Sequence, residues 1–149
     1  MKYILMALLG FTLSTAHARE GESVITHPSR YTSTETLGRL NAALKERGLT
    51  VFAAIDHADG AEKAGLKMPF STLTIFGDPK GGTPFMVTAP RSALDFPLKA
   101  LVWEDGKGKV FYSYTTLDYI VDRHHIKGQN ELAIKLDKLQ AGLAKTATE

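Results

Sequence analysis

Between Leu73 and Asp105 the chain reads LTIFGDPKGGTPFMVTAPRSALDFPLKALVWED and holds four of the six prolines. Proline fixes its own φ, removes a backbone donor and restricts the residue before it, so the path here has few options. An apolar strand over Ser71 to Phe76 ends at the turn Gly77-Asp78-Pro79. Thr83-Pro84 reads as an N-cap followed by proline at N1, which predicts a short helix through Val87 that stops at Pro90. Phe96-Pro97 then sets the entry to a second strand, Leu98 to Glu104. The order strand, short helix, strand is therefore fixed here, and the remaining elements must pack around it.

The flanking elements carry ordinary local signals. Glu22 to His27 predicts a first strand. Thr32 and Glu35 form a capping-box pair ahead of a helix whose apolar positions are Leu37, Leu40 and Leu44, with Gly48 at its end. Leu49 to Ile55 predicts a strand with Leu49, Val51, Ala53 and Ile55 on one face and Phe52 on the other. A short helix is expected at Ala61 to Ala64. Leu98 to Glu104 and Lys109 to Tyr114 flank Asp105-Gly106-Lys107-Gly108, the strongest hairpin signal in the chain. Thr116 to His125 and residues 129–145 predict two more helices, the second striped by Leu132, Leu136, Leu139 and Leu143. Strands and helices in this order predict an α+β domain over residues 19–149, with no internal repeat or linker.

Residues 1–18 predict a secretory signal peptide. Lys2 is the positive end, Tyr3 to Leu13 the apolar run, and Ala16-His17-Ala18 the small-x-small cleavage site. That run is well short of the ~20 apolar residues needed to cross a bilayer. The expected location is the periplasm or outside the cell, with no stable membrane insertion after cleavage. The chain has no cysteine, which excludes thiol redox work, cysteine-ligated zinc, iron–sulfur centres and covalently attached c-type haem. Lys and Arg number 18 against 16 Asp and Glu, a balance that gives no nucleic-acid surface.

Several residues could carry chemistry. His57, beside Asp56, stands where a strand becomes a loop and could act as a general base with Asp56 or Asp95. Neighbouring strand residues point to opposite faces, so the competing reading is a loop histidine beside a capping aspartate. His124-His125 diverge on a helix and make poor joint ligands. The sequence also lacks HExxH, so no metal is expected and the pair reads as solvent-facing. Gly77 to Thr83 lacks both phosphate-loop patterns, yet Lys80 and the helix start near Thr83 could hold an anion. Lys99 and Trp103 share a strand face and, with Tyr112 or Tyr114 across the hairpin, could line a pocket. Glu104 is a further candidate ligand residue, and packing is the competing reading for Trp103. No cofactor motif is present.

The ordered series Phe52 to His57, Ala61 to Leu66, Leu73 to Lys80, Leu94 to Lys99, Leu101 to Asp105 and Tyr112 to Tyr114 resembles the DUF302 family over residues 30–125. The resemblance implies a single two-layer α+β domain, with a curved, mostly antiparallel sheet covered by helices, and often a homodimer. Its signature transfers as Asp56, His57, Gly77, Asp78, Pro79, Asp95, Pro97, Lys99, Trp103 and Glu104, with no assigned catalytic roles. Asp78 stands where asparagine is usual in the family, and either residue can cap or turn the chain. Two function classes are expected. One is a periplasmic domain that binds a small ligand or a protein partner. The other is a small hydrolase or isomerase with His57 as base.

Overall fold

The computed structural model describes residues 23–149. The signal-peptide segment lies outside them. Five strands form one antiparallel sheet in the order β1-β5-β4-β3-β2: β1 Val24–Pro28, β2 Thr50–Asp56, β3 Ser71–Gly77, β4 Leu98–Glu104 and β5 Val110–Thr115. The helices are α1 Ser33–Glu46, α2 His57–Lys63, α3 Pro79–Thr88, α4 Leu117–Arg123 and α5 Asn130–Thr148, with a 3-10 turn at Pro90–Leu94. Strands β2 to β5 run as a meander, and β1 returns to pair with β5.

Alternation along the strands decides what is buried. Thr72, Thr74 and Phe76 stand across from Val102, Ala100 and Leu98, which in turn face Tyr112 and Tyr114. This face is buried beneath Leu40, Ala43 and Leu44 of α1 and Leu136, Leu143 and Ala144 of α5. Leu73, Ile75, Leu101, Trp103 and Phe111 occupy the other face and are only half-buried. The result is a two-layer α+β domain with a curved sheet and helices on one side.

Local signals placed most ends correctly. Thr32 Oγ1 accepts from the Glu35 amide at the start of α1, and Gly48 follows its end at φ 66°, the left-handed conformation glycine adopts at no cost. Three elements differ from the sequence reading. Helix α2 begins at His57, four residues before the expected Ala61, because Asp56 caps it by accepting from the Asp59 amide. Helix α3 begins at Pro79, not Thr83: Asp78 is the cap, accepting from the Lys80 amide at 2.9 Å, and Pro84 lies inside the helix. Asp78-Pro79 is an equally good cap-and-proline pair, and the earlier start wins. In β2 a bulge between Val51 and Ala53 shifts the register. Val51 therefore pairs with Phe76 on the helix-covered side, while Ala53 and Ile55 pair with Ile75 and Leu73 on the other. The single apolar face expected for this strand does not form.

Helix α5 is tied to α4 by a carboxylate: Asp137 Oδ1 accepts from the Leu117 amide at 2.8 Å. Burial raises the Asp137 pKa, with the Leu117 amide opposing the rise and the Asp118 charge adding to it. A carboxyl that holds its proton to higher pH when folded loses stability as pH rises from the usual carboxylate value through the folded one. Asp137→Asn keeps an acceptor for Leu117 and is expected to remove that decline. Urea melts over a pH series should show wild type and variant converging at acid pH, with the variant more stable near neutrality. A parallel pH dependence in the two proteins would refute the assignment.

Candidate functional site

Where β3 ends and α3 begins, the chain leaves a cavity of about 240 Å³. One wall is Phe76 and Gly77 of β3 with Phe52 of β2, a second is the first turns of α3 up to Met86, and a third is Phe96, Pro97 and Leu98. Leu136 and Leu139 of α5 close the fourth side. Two glycines of α3 face these walls at a distance where a Cβ would make ordinary contact. A Cβ on Gly82 would sit 3.5 Å from the Phe96 ring, and one on Gly81 would sit 3.6 Å from Leu136. Phe85, the one buried residue of α3, stacks on Phe96 with ring centroids 5.1 Å apart and so holds the helix down. The lining is almost wholly apolar, with Asp78 at the start of α3 and Thr83 in mid-helix as its polar members. Carbon-lined space of this size suits small apolar molecules; an enclosed cavity of ~150 Å³ accommodates benzene.

Beside the cavity wall lies a polar cluster that no local pattern announces. Asp95 Oδ2 and His124 Nε2 are 2.5 Å apart, and Arg123 donates to Asp95 Oδ1 at 3.1 Å. The His124 side chain is 5% exposed, so the expected solvent-facing pair of histidines does not exist. His124 turns inward at the end of α4, and His125 takes a left-handed φ of 53° as the chain leaves that helix. Lys99 Nζ donates to the carbonyls of Asp95 and Pro97, both at 2.9 Å. Burial lowers its pKa, and the Asp95 charge partly restores it. Asp95 and Lys99 are thus brought together, and they brace the Phe96-Pro97 segment that walls the cavity.

The other sequence candidates scatter. His57 is exposed at the first position of α2, and Asp56 caps that helix by accepting from the Asp59 amide at 3.0 Å. Asp95 has His124 as its imidazole partner, and His57 has no part in the cluster. Lys80 is exposed on α3, and Thr83 is in mid-helix at the cavity lining. Trp103 donates its indole N–H to Ser113 Oγ at 2.9 Å and stacks on Phe111. Tyr112 pairs with Val102 and is fully buried on the opposite face, so the expected Lys99–Trp103–Tyr112 pocket is not formed. One-residue alternation is the reason: Tyr112 and Tyr114 share a face with Val102, not with Trp103. Burial raises the Tyr112 pKa further from the neutral range. Glu104 closes β4, its amide bonded to the Phe70 carbonyl. Among the described residues no three His, Asp or Glu side chains converge as a metal site.

Comparison with known proteins agrees with this architecture. The profile described as "Domain of unknown function DUF302" matches residues 25–143. The chain is 39% identical over 112 residues to a "Fluoride-specific ion channel FluC 1" of Brucella suis biovar 1 (strain 1330), covering 75% of this chain and 44% of that protein. The namesake in Brucella abortus biovar 1 (strain 9-941) is also 39% identical, with 42% of its length covered. The chain thus spans less than half the length of the curated relatives it matches. Among solved structures, "uncharacterized conserved protein DUF302 from Bacillus stearothermophilus" superposes with a TM-score of 0.77 at 16% identity. That match covers 85% of this chain and 99% of the other, and it establishes the shared fold.

Proposed function

We propose, from the premise that this chain belongs to the DUF302 family, that it is a non-catalytic binding domain whose ligand is a small, largely uncharged apolar molecule. The observation that carries this is the cavity between α3, α5 and the end of β3, lined almost throughout by carbon. Pockets with few polar groups gain affinity from apolar burial and orientation from the rim. Here the rim groups are Asp78 at the start of α3 and Thr83 in mid-helix. The candidate general base offers less support for an enzyme, since His57 is exposed and Asp56 is engaged as a helix cap.

The cavity reading is tested with the neutral fluorophore 1-N-phenylnaphthylamine. Wild type is expected to bind it with a fluorescence rise. Gly82→Leu, which fills the cavity from inside a helix where leucine is well tolerated, should weaken binding at least about tenfold, the loss expected when a small apolar site is occluded. Equal binding by both proteins would remove the cavity as the site.

The rest of the reading follows from the sequence. Residues 1–18 direct the chain to the periplasm or the medium, a point checked by the mass of the exported protein. Among the described residues no helix is long and apolar enough to cross a membrane. A second reading is an interaction domain that serves ion transport, favoured by the printed name of the Brucella relatives. Unchanged fluoride tolerance after deletion of the gene would count against it.

A further inference from the structure

Helix α5 borders a second recess, open and about 440 Å³ in volume, through Asp137, Lys138 and Ala141. Ile25 of β1 and Tyr114 of β5, partners across the sheet, line it from the strand side. Asp118, in the first turn of α4, adds a second carboxylate. The apolar cavity takes Leu136 and Leu139 of the same helix, and the two spaces share no residue. Tyr114 is 6% exposed, and its ring packs on His27 and Tyr112 with centroids 6.1 Å away in each case. Its hydroxyl has no hydrogen bond among the described residues. The Tyr112 hydroxyl also lacks a partner but is sealed in the core, whereas that of Tyr114 meets the recess. Burial raises the Tyr114 pKa and the Asp137 charge adds to the rise, which places this hydroxyl near that carboxylate.

Capping explains only part of the acidic side. Asp137 accepts from the Leu117 and Asp118 amides, while an ionised carboxylate has about four acceptor sites. Burial raises the Asp137 pKa, and Asp118 lies near enough for its charge to add to that rise. Neither carboxylate is relieved by a cation of the chain. The ion pairs among the described residues lie elsewhere, and Lys138 enters none of them.

We propose that this recess binds a small primary amine in its ammonium form, which donates to Asp137, Asp118 and the Tyr114 hydroxyl. Its carbon chain then lies against Ile25 and Ala141, the apolar part of the lining. An ammonium group carries three donors and no acceptor, which matches three oxygen-bearing side chains. Charge-assisted bonds to carboxylate are the strongest of their kind. A divalent metal fits less well. Among the described residues no three metal-ligating side chains converge, and hard divalent ions take six or more oxygens. The site is also costly when empty. The Asp137 carboxylate that lowers stability near neutrality becomes an anchor once a cation faces it. This inference stands apart from the ligand reading of the apolar cavity.

The test is an amide NMR titration at constant ionic strength with n-butylamine, protonated near neutrality like a lysine side chain. Wild type is expected to show saturable shifts at Tyr114, Leu117, Asp118 and Asp137. Tetramethylammonium has the same charge but no N–H, and should bind at least about tenfold more weakly. Asp137→Asn, expected above to be the more stable protein near neutrality, should lose at least about tenfold in affinity without unfolding. Tyr114→Phe removes one unpartnered oxygen from a packed ring and should lose about threefold to tenfold. Neither substitution touches the apolar cavity, so phenylnaphthylamine binding should be the same in all three proteins. No saturable shift with n-butylamine at millimolar concentration overturns the site. So does wild-type affinity in Asp137→Asn. Tetramethylammonium binding as tightly as n-butylamine, or wild-type affinity in Tyr114→Phe, overturns recognition through the three N–H donors.

Discussion

Phe85→Ala is expected to cost about 3–5 kcal/mol of folding stability, the range for removing a fully buried phenylalanine ring. Phe85 is 0% exposed and is the sole buried residue of α3. The helix has little else to hold it, since its first turns carry Gly81 and Gly82 and Pro84 interrupts its hydrogen bonding. Removing the ring also frees Phe96 from its 5.1 Å stacking partner. Stability and binding should therefore fall together, because α3 and Phe96 are two of the four cavity walls. Urea denaturation measures the first effect and phenylnaphthylamine titration the second. Against a total of 5–15 kcal/mol for a typical domain, such a loss leaves a marginal fold. A cost below about 1 kcal/mol would mean that the α3 packing described here is wrong.

The second large effect is expected at Asp95. Asp95→Ala strips His124, 5% exposed, of its partner and leaves Arg123 without its carboxylate. Orphaning a buried group that was bonded to a charge is expected to cost about 2–3 kcal/mol. Arg123→Ala removes a side chain that is 47% exposed and should cost no more than about 1 kcal/mol. The ratio between the two variants is the informative quantity. Similar losses would show that the arginine pair, not the histidine contact, holds the end of α4 to the segment before β4. Chemical denaturation of the two variants and of His124→Ala decides this.

These two positions also show how far the sequence could be read. The helix starting at Thr32, the hairpin around Asp105 to Gly108 and the leucine stripe of α5 were legible, because each is specified by residues within a few positions of one another. Asp105 bears this out in detail, its Oδ1 accepting from the amides of Lys107 and Lys109 at 2.8 and 2.9 Å. The contact between Asp95 and His124 spans 29 positions, and no periodicity encodes such a pairing. His57 drew attention through an adjacent aspartate, yet that aspartate serves the backbone of its own helix. The cavity was half legible. Gly77 to Thr83 was singled out as a binding segment and does line the cavity, where it meets Phe96-Pro97, read as the entry to a strand. The contributions of Leu136 and Leu139 depended on how α5 crosses the sheet, and that of Phe52 on a bulge. Tyr112 was placed on the wrong face because large residues on both sides of a strand leave alternation without a polar marker.

The return of β1 to β5 bears on how the chain assembles. β2 to β5 pair with their neighbours in sequence, so the meander can close through local connections as it is made, the longest of them carrying α3 and the 3-10 turn. β1 is translated before any of them and must find a strand whose residues lie far along the chain: Thr26 Oγ1 meets Ser113 Oγ across a separation of 87 positions. Closing so large a loop is entropically favoured only after the intervening chain has condensed. The first strand to be synthesised is therefore the last to be paired, and until it docks β5 stands as an open edge in place of the short, proline-ended β1.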